Sequence, residues 1–480
     1  MAIVFGLEWP NVTPEVVMEQ GEQQLQQRST TIHSLAHSPH GLTHRAVVPT
    51  HRRHRALLGP SRTGRHRHYR VRPPPLQPPN PHSLQTALHK IQNSHPILRS
   101  TLSIPPTNIS IHPTPHLTLH NSPYSLPSLH LIAEHELNQN PWTAAADADA
   151  DAETPTAFAT IYALPGAKWA VALRLHTMVC DRTTAVALLR ELCGGEEEFG
   201  AKDGVNLGIE KLVPSGRGSK ALWARGFDLV GYSLNSFRFC NLPFQDSESG
   251  RSSAVVRLRL APEETLRLLS GCKERGIKLC GAMGAAGMMA AHTSKQLPEH
   301  QWEKYAIVTL VDCRASLDPP LHPYNFGFYH SAILNTHDVC GGSAEFWDLA
   351  NRCYTSFNNA MNSNKHFTDM DDLNLLMCKA IDNPGLTPSS SLRTSFMAVF
   401  EDSVINNFSE SAVSQEVGLL DFIGCSSVHG VGPSIAVFDT IRDGALDCAC
   451  VYPTPLHSRE QMEELILNMK TILIQESCNS

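Results

Sequence analysis

The sequence predicts an α/β fold assembled in more than one part, and three stretches carry that expectation. Trp169 to Leu192, WAVALRLHTMVCDRTTAVALLREL, reads as strand, tight loop and helix. Ser252 to Cys272 repeats the order, with VVRLRL followed by a helix that opens on Pro262. Ile435 to Leu473 closes the chain as a hairpin and a long helix. A chain of 480 residues favours two domains over one very large core.

The first of these stretches organises the rest. Val171, Leu173 and Leu175 alternate with Ala172, Arg174 and His176, the two-residue period of a strand. Asp181, Thr183 and Thr184 then supply helix-start chemistry, and Ala185, Leu188, Leu189 and Leu192 recur at helical spacing. His176 therefore leaves the end of a mostly buried strand, and Asp181 sits at the mouth of a helix. An imidazole held at a strand end is placed for proton transfer, although a hydrogen-bonded structural histidine is the plainer reading. Asp181 on the same terms is an N-cap.

Composition bounds the function. Hydrophobic content of 41% and charged content of 18% suit a soluble globular protein, and a net charge of −7 argues against a nucleic-acid partner. The 13 cysteines include no CxxC pair, so a reducing compartment, the cytoplasm, is expected. Cys448 and Cys450 share one strand face and read as packed thiols. No apolar run reaches membrane-spanning length, and Met1 to Gln27 lacks the apolar core of a signal peptide.

Residues 1–80 stand apart. No Asp or Glu occurs from Gln23 to Ala133, and Arg45 to Arg72 crowds arginine with His51, His54, His66 and His68 before a proline run. A basic arm, a disordered segment and a faulty gene model are the three readings. The abrupt change near Pro75 and the lack of a recognisable first strand before it favour the faulty gene model and place the binding arm last.

Order is expected from His82 onward. Leu84, Leu88 and Ile91 mark one helix face, and Pro96 ends that helix. Strand-like pieces follow at Ile109 to Ile111, Leu117 to Leu119 and Phe158 to Leu164. The alternating Ala and Asp of Ala144 to Ala152 form a solvated loop. Leu222 to Phe239 reads as a helix crossing between halves. Pro262 sits in a first helical turn, where its missing N–H does no harm, and Leu266, Leu269 and Cys272 line that helix. GAMGAAGMMAAH is a small-residue helix suited to close packing. Asp443-Gly444 is a type I′ hairpin signal. Ser458 with Gln461 is a capping box, and Met462, Leu465, Met469 and Leu473 form the buried stripe of the last helix.

These stretches resemble the chloramphenicol-acetyltransferase-like superfamily, which includes condensation domains, alcohol acetyltransferases and BAHD acyltransferases. The likeness extends over Ser83 to Ile474 and is nearest to condensation-domain-like proteins of plants. His176 to Arg182 resembles the HHxxxDG motif. His176 takes the first histidine, Thr177 the second, Asp181 the aspartate and Arg182 the glycine. SLQTALHKIQNSHPILRS resembles the LxxAL helix followed by HPxLR, whose arginine, here Arg99, pairs with the motif aspartate. VTLVDCRASLDP with NFGFYHSAIL resembles the corresponding strands of the second half, and Arg174 and Arg314 are rival partners for Asp181.

The resemblance implies two half-domains, each a mixed sheet covered by helices, with a tunnel between them. The first would span 81–215, a crossover linker 216–250 and the second 251–480. It implies an acyltransferase that takes a thioester such as acyl-CoA as co-substrate and an alcohol or amine as acceptor. No tightly bound cofactor, no metal and a monomer are expected. The family's base is the second histidine, and threonine has no pKa near neutrality. Either His176 has taken that role, facing the tunnel, or the protein is a degenerate relative that binds a ligand or partner without transfer. His429 reads as a turn residue, Ser389 to Ser391 with Thr394 as a polar loop, and Asp369, Asp371 and Asp372 lack calcium-loop spacing.

Overall fold

Two large sheets carry the fold in the computed structural model, which describes residues 2–8, 81–103, 108–144, 153–165, 168–193, 208–221, 223–226, 231, 239–298, 301–340, 345–406 and 419–478. The basic segment after Glu8, the Ala-Asp loop and most of the proposed crossover helix lie outside the described residues. In chain order the first part supplies strand β1 (Ala2–Glu8), helix α1 (Pro81–Ser94), β2 (Ser100–Ser103), β3 (Asn108–Ile111) and β4 (Leu119–Asn121). Helix α2 (Leu129–Asn138), β5 (Thr154–Pro155), β6 (Ala157–Leu164), β7 (Lys168–Leu175) and α3 (Arg182–Leu192) follow. The second part supplies β8 (Ser252–Leu260), α4 (Pro262–Glu274), α5 (Leu279–Ser294), β9 (Trp302–Asp312), β10 (His330–Cys340), α6 (Phe346–Asn362) and α7 (Met370–Asp382). It ends with β11 (Arg393–Phe400), β12 (Val404–Asn406), β13 (Leu419–Cys425), β14 (Gly432–Arg442), β15 (Ala445–Thr454) and α8 (Arg459–Cys478).

The five-stranded sheet has the order β13-β1-β7-β6-β4, and the seven-stranded sheet the order β10-β9-β11-β14-β15-β8 with β12 beside β14. Two sequence expectations are corrected here. Residues 2–8 are not part of a separate segment: β1 lies between β7 and β13, antiparallel to both. Ile3 and Val4 are buried on its opposite faces. β13 likewise leaves the expected second half, 251–480, and completes the first sheet. Both were hidden for one reason. Sheet pairing is non-local, and a short apolar strand carries no record of which distant strand it joins.

β7 shows why the strand pattern is mixed. Val171, Leu173 and Leu175 pack towards α1 and α3, while Ala170 and Ala172 face the second sheet. A strand buried on both faces reads as a nearly continuous apolar run. The small alanines let the sheets approach, and a core including Tyr162, Phe400, Phe438 and Val451 fills the space between them.

The seven-stranded sheet is covered by α4, α5, α6 and α8. Met462, Leu465, Met469 and Leu473 are fully buried in that core, as the helical stripe predicts. Only half of the capping box forms: the Gln461 N–H donates to Ser458 Oγ at 3.2 Å, and the Gln461 side chain donates to the Pro243 carbonyl at 2.9 Å. Asp443 and Gly444 turn the β14–β15 hairpin with φ of 48° and 79°, as a type I′ turn requires. No described helix is long and apolar enough to cross a membrane.

The small-residue helix α5 packs closely on α6. A Cβ at Gly281 would meet the Ala350 carbonyl at 2.8 Å, whereas one at Gly284 would meet nothing nearer than 3.8 Å. Alanine gains about 1 kcal/mol of helix propensity over glycine, and overpacking costs about 1–3 kcal/mol. Gly281→Ala should therefore lower the urea midpoint, while Gly284→Ala leaves it unchanged or raises it. Equal behaviour of the two variants would contradict this close approach.

Candidate active site

The loop after β7 is fixed by backbone bonds before any side chain acts. The His176 N–H donates to the Thr156 carbonyl at 2.8 Å, and Val179 and Cys180 donate back to His176 and Thr177 in a tight turn. Asp181 is the extended N-cap of α3, its Oδ1 accepting the Thr184 N–H at 2.9 Å. Its own N–H donates to the Gly327 carbonyl at 3.1 Å, tying this loop to the segment before β10. Gly327 has φ of 149°, and a Cβ there would meet the Tyr329 ring at 2.8 Å, so glycine is required.

The Asp181 carboxylate is buried and fully engaged from the second half. Arg314 Nη1 donates to Oδ2 at 2.8 Å and Nη2 to Oδ1 at 3.0 Å. The Tyr329 N–H and His330 Nδ1 reach Oδ2 at 2.9 and 3.0 Å. Burial alone would raise the carboxyl's pKa. The His330 hydrogen bond and charge, together with Arg314, outweigh it and hold the group well below the usual carboxylate range.

This corrects the expected partner. Arg99 does not meet Asp181; its Nη1 donates to the Pro113 carbonyl at 3.2 Å. The side chain that reaches Asp181 is Arg314, the rival from the other half. Arg174 is engaged elsewhere, with Glu136 at 2.7 Å. The reason is geometric: Arg99 ends a short turn at the outer three-stranded sheet, β3-β2-β5, while Arg314 follows β9 directly beneath the motif loop.

Two cavities meet beside this lock. The larger, about 430 Å³, is mostly apolar and is lined by Thr177, Cys180 and Asp181 together with side chains such as Leu334, Phe328 and Phe438. The smaller, about 290 Å³, includes Thr183, Arg190 and Asp312. Arg182, Leu310, His330 and Phe400 line both. Arg182, where the motif has glycine, crosses to the second sheet. Its Nη2 donates to Asp439 Oδ1 at 2.9 Å and to the Asp439 carbonyl, and its Nη1 to the Asp402 carbonyl at 3.0 Å. Its guanidinium lies 4.2 Å from the Phe400 ring centroid.

His176 lines neither cavity, contrary to the tunnel-facing position expected of it. Its Nδ1 accepts the Met178 N–H at 3.2 Å, its ring meets Trp142 edge-on at 5.0 Å, and burial lowers its pKa. Thr177 is exposed on the cavity wall instead. Burial first, and Asp181 second, push the Cys180 thiol far up, so it is packed and not nucleophilic. Of the serine-rich loop, Thr394 reaches the larger cavity, and so does its neighbour Ser395. His429 bonds Ser253 at 2.9 Å, and Asp369 and Asp372 pair with Lys220. No metal-binding group of His, Cys, Asp or Glu occurs among the described residues.

Comparison with known proteins bears on the fold. Residues 249–365 match a family described as the phthiocerol/phthiodiolone dimycocerosyl transferase C-terminus, a span that holds both Arg314 and His330. No curated protein matches the chain by sequence. Trichothecene 15-O-acetyltransferase from Fusarium sporotrichioides superposes with a TM-score of 0.58 at 11% identity, over 82% of this chain and 86% of that one. Polyketide synthase associated protein 5 from Mycobacterium tuberculosis gives 0.57 at 16% identity, over 83% and 92%. The condensation domain of the Monacolin K polyketide synthase gives 0.51 at 12% identity, over 82% and 89%. This chain has the chloramphenicol-acetyltransferase-like fold. In this example of the fold, the aspartate of the motif loop is locked by Arg314 across the two halves.

His330 is the residue that sequence reasoning passed over. NFGFYHSAIL resembles a strand of the second half, and nothing within that stretch gives the histidine at the strand's first position a role. Only the approach of β10 to Asp181 gives it one.

Breaking the lock should be visible in stability. Asp181→Ala should cost about 3–5 kcal/mol by leaving Arg314 uncompensated in a buried place. The carboxyl's folded pKa lies below its unfolded value of about 3.9, so its contribution is complete above that value and is lost progressively as pH falls from there through the folded pKa. Asp181→Asn should therefore flatten the decline of unfolding free energy below about pH 4. An acid limb identical to wild type, measured by urea titration at each pH, would rule the lock out.

Proposed function

We propose that the protein transfers an acyl group from a thioester, such as acyl-CoA, to an alcohol or amine in the space between its two sheets. The observation that carries this reading is the pair of cavities sharing one wall, of Arg182, Leu310, His330 and Phe400, beside the motif loop. The larger has the size of small-molecule sites and the apolar lining that an acyl chain needs. The smaller brings more polar side chains to the opposite side of that wall, where an acceptor hydroxyl or amine would find hydrogen bonds. The family match and the shared fold support acyl- or condensation-type transfer as the class. Donor and acceptor would be small molecules acted on by a monomer, with no tightly held cofactor.

A second reading has its own observations. Thr177 stands where the motif's base would be, and Arg182 fills the place of a glycine between the cavities. Both suit a relative that binds an apolar ligand without transferring it. Thiol release from a panel of acyl-CoA donors with alcohol and amine acceptors separates the two. Steady turnover supports transfer; saturable binding without thiol release supports the second reading.

Thr177→His restores the family pattern at an exposed position on the cavity wall. A gain of slow thioester hydrolysis or transfer is expected from the added base. No gain at all would mean that the wall cannot present a substrate to that position.

A further inference from the structure

We propose that His330, contributed by the second half, is the general base of the transfer and replaces the histidine absent at Thr177. This rests on the acyl-transfer reading. Asp181 Oδ2 lies 3.0 Å from His330 Nδ1. An ionised carboxylate can only accept a hydrogen bond, so Nδ1 carries a proton, and whenever the ring is neutral its lone pair is on Nε2. Nε2 has no hydrogen-bond partner among the described residues. The side chain is only 6% exposed, yet it lines both cavities. Phe400 meets the ring edge-on at 5.8 Å and Phe328 stands at 6.3 Å, which confines its orientation. A buried histidine oriented by a buried carboxylate at the wall between two substrate-sized spaces has the parts of a nucleophile-activating base.

The chemistry closes without another reagent. His330 Nε2 takes the proton of the acceptor O–H or N–H as that atom bonds to the thioester carbonyl carbon. The carbonyl π pair moves to oxygen and gives a tetrahedral oxyanion. On collapse the C–S bond breaks, the sulfur leaves with the electron pair and takes the proton from Nε2. The products are an ester or amide and a free thiol, and the ring is neutral again. Asp181 makes no contact with substrate in this step; it holds the ring and its tautomer.

A structural role would be met by any donor to Asp181, and that distinction defines the test. His330→Asn keeps an N–H near the Nδ1 position and removes the Nε2 lone pair. With the full-length protein and the acyl-CoA panel, this variant should lose about 10²–10⁴-fold in kcat with little change in donor KM, and its urea midpoint should stay near wild type. His176→Ala should retain activity. Imidazole ¹⁵N spectra of the wild type, followed to the alkaline side of the ring's titration, should show His330 losing its proton from Nε2 and keeping it on Nδ1, a readout that needs no folded variant. An active wild type with an undiminished His330→Asn, or the opposite tautomer, overturns the inference alone. A wild type inert across the panel overturns the acyl-transfer reading and the inference with it.

Discussion

One carboxylate ties the two halves together. Asp181 is buried, and an unpaired charge there would cost several kcal/mol. It is stabilised by a helix N-terminus from its own half and by Arg314, the Tyr329 N–H and His330 from the other. Because those donors sit on the connection between β9 and β10 and at the first position of β10, satisfying Asp181 sets the spacing of the two sheets at that point. Gly327 serves the same junction from the backbone side: its carbonyl accepts the Asp181 N–H, and the lack of a Cβ leaves room for the Tyr329 ring.

Arg182 has the opposite effect on the interior. Asp181 holds the halves at a distance, and Arg182 occupies part of what lies between them. Its guanidinium neutralises the buried Asp439 and covers the Phe400 face. A glycine would leave Asp439 unpaired in this surrounding. The arginine is therefore coupled to the second sheet and not a free departure from the motif. Its consequence is a wall between two cavities, lined on both sides by Arg182 and His330.

Much of the fold was legible because it is local. The period of Val171, Leu173 and Leu175, the cap at Asp181, the Asp443-Gly444 turn and the stripe of α8 all follow from interactions within a few residues. β1 and β13 were not legible. AIVFGLE and LLDFIGC are short, and their partners lie far away in sequence, so nothing local marks either as a member of the first sheet. The site divides in the same way. Asp181 and Arg314 were both visible as charged residues at element ends, yet the choice among Arg99, Arg174 and Arg314 depended on which element end faces the motif loop.

The sequence by itself determined the α/β class and the strand–loop–helix around Asp181. These depend on periodicity, capping and side-chain chemistry, which a single segment contains. The tertiary structure decided the partner of Asp181, the insertion of β1 and β13 and the division of the interior by Arg182. It also turned His176 away from the cavities and brought His330 to them. Each of these depends on where two distant segments meet, and a buried charge selects its partner only after the sheets have been placed.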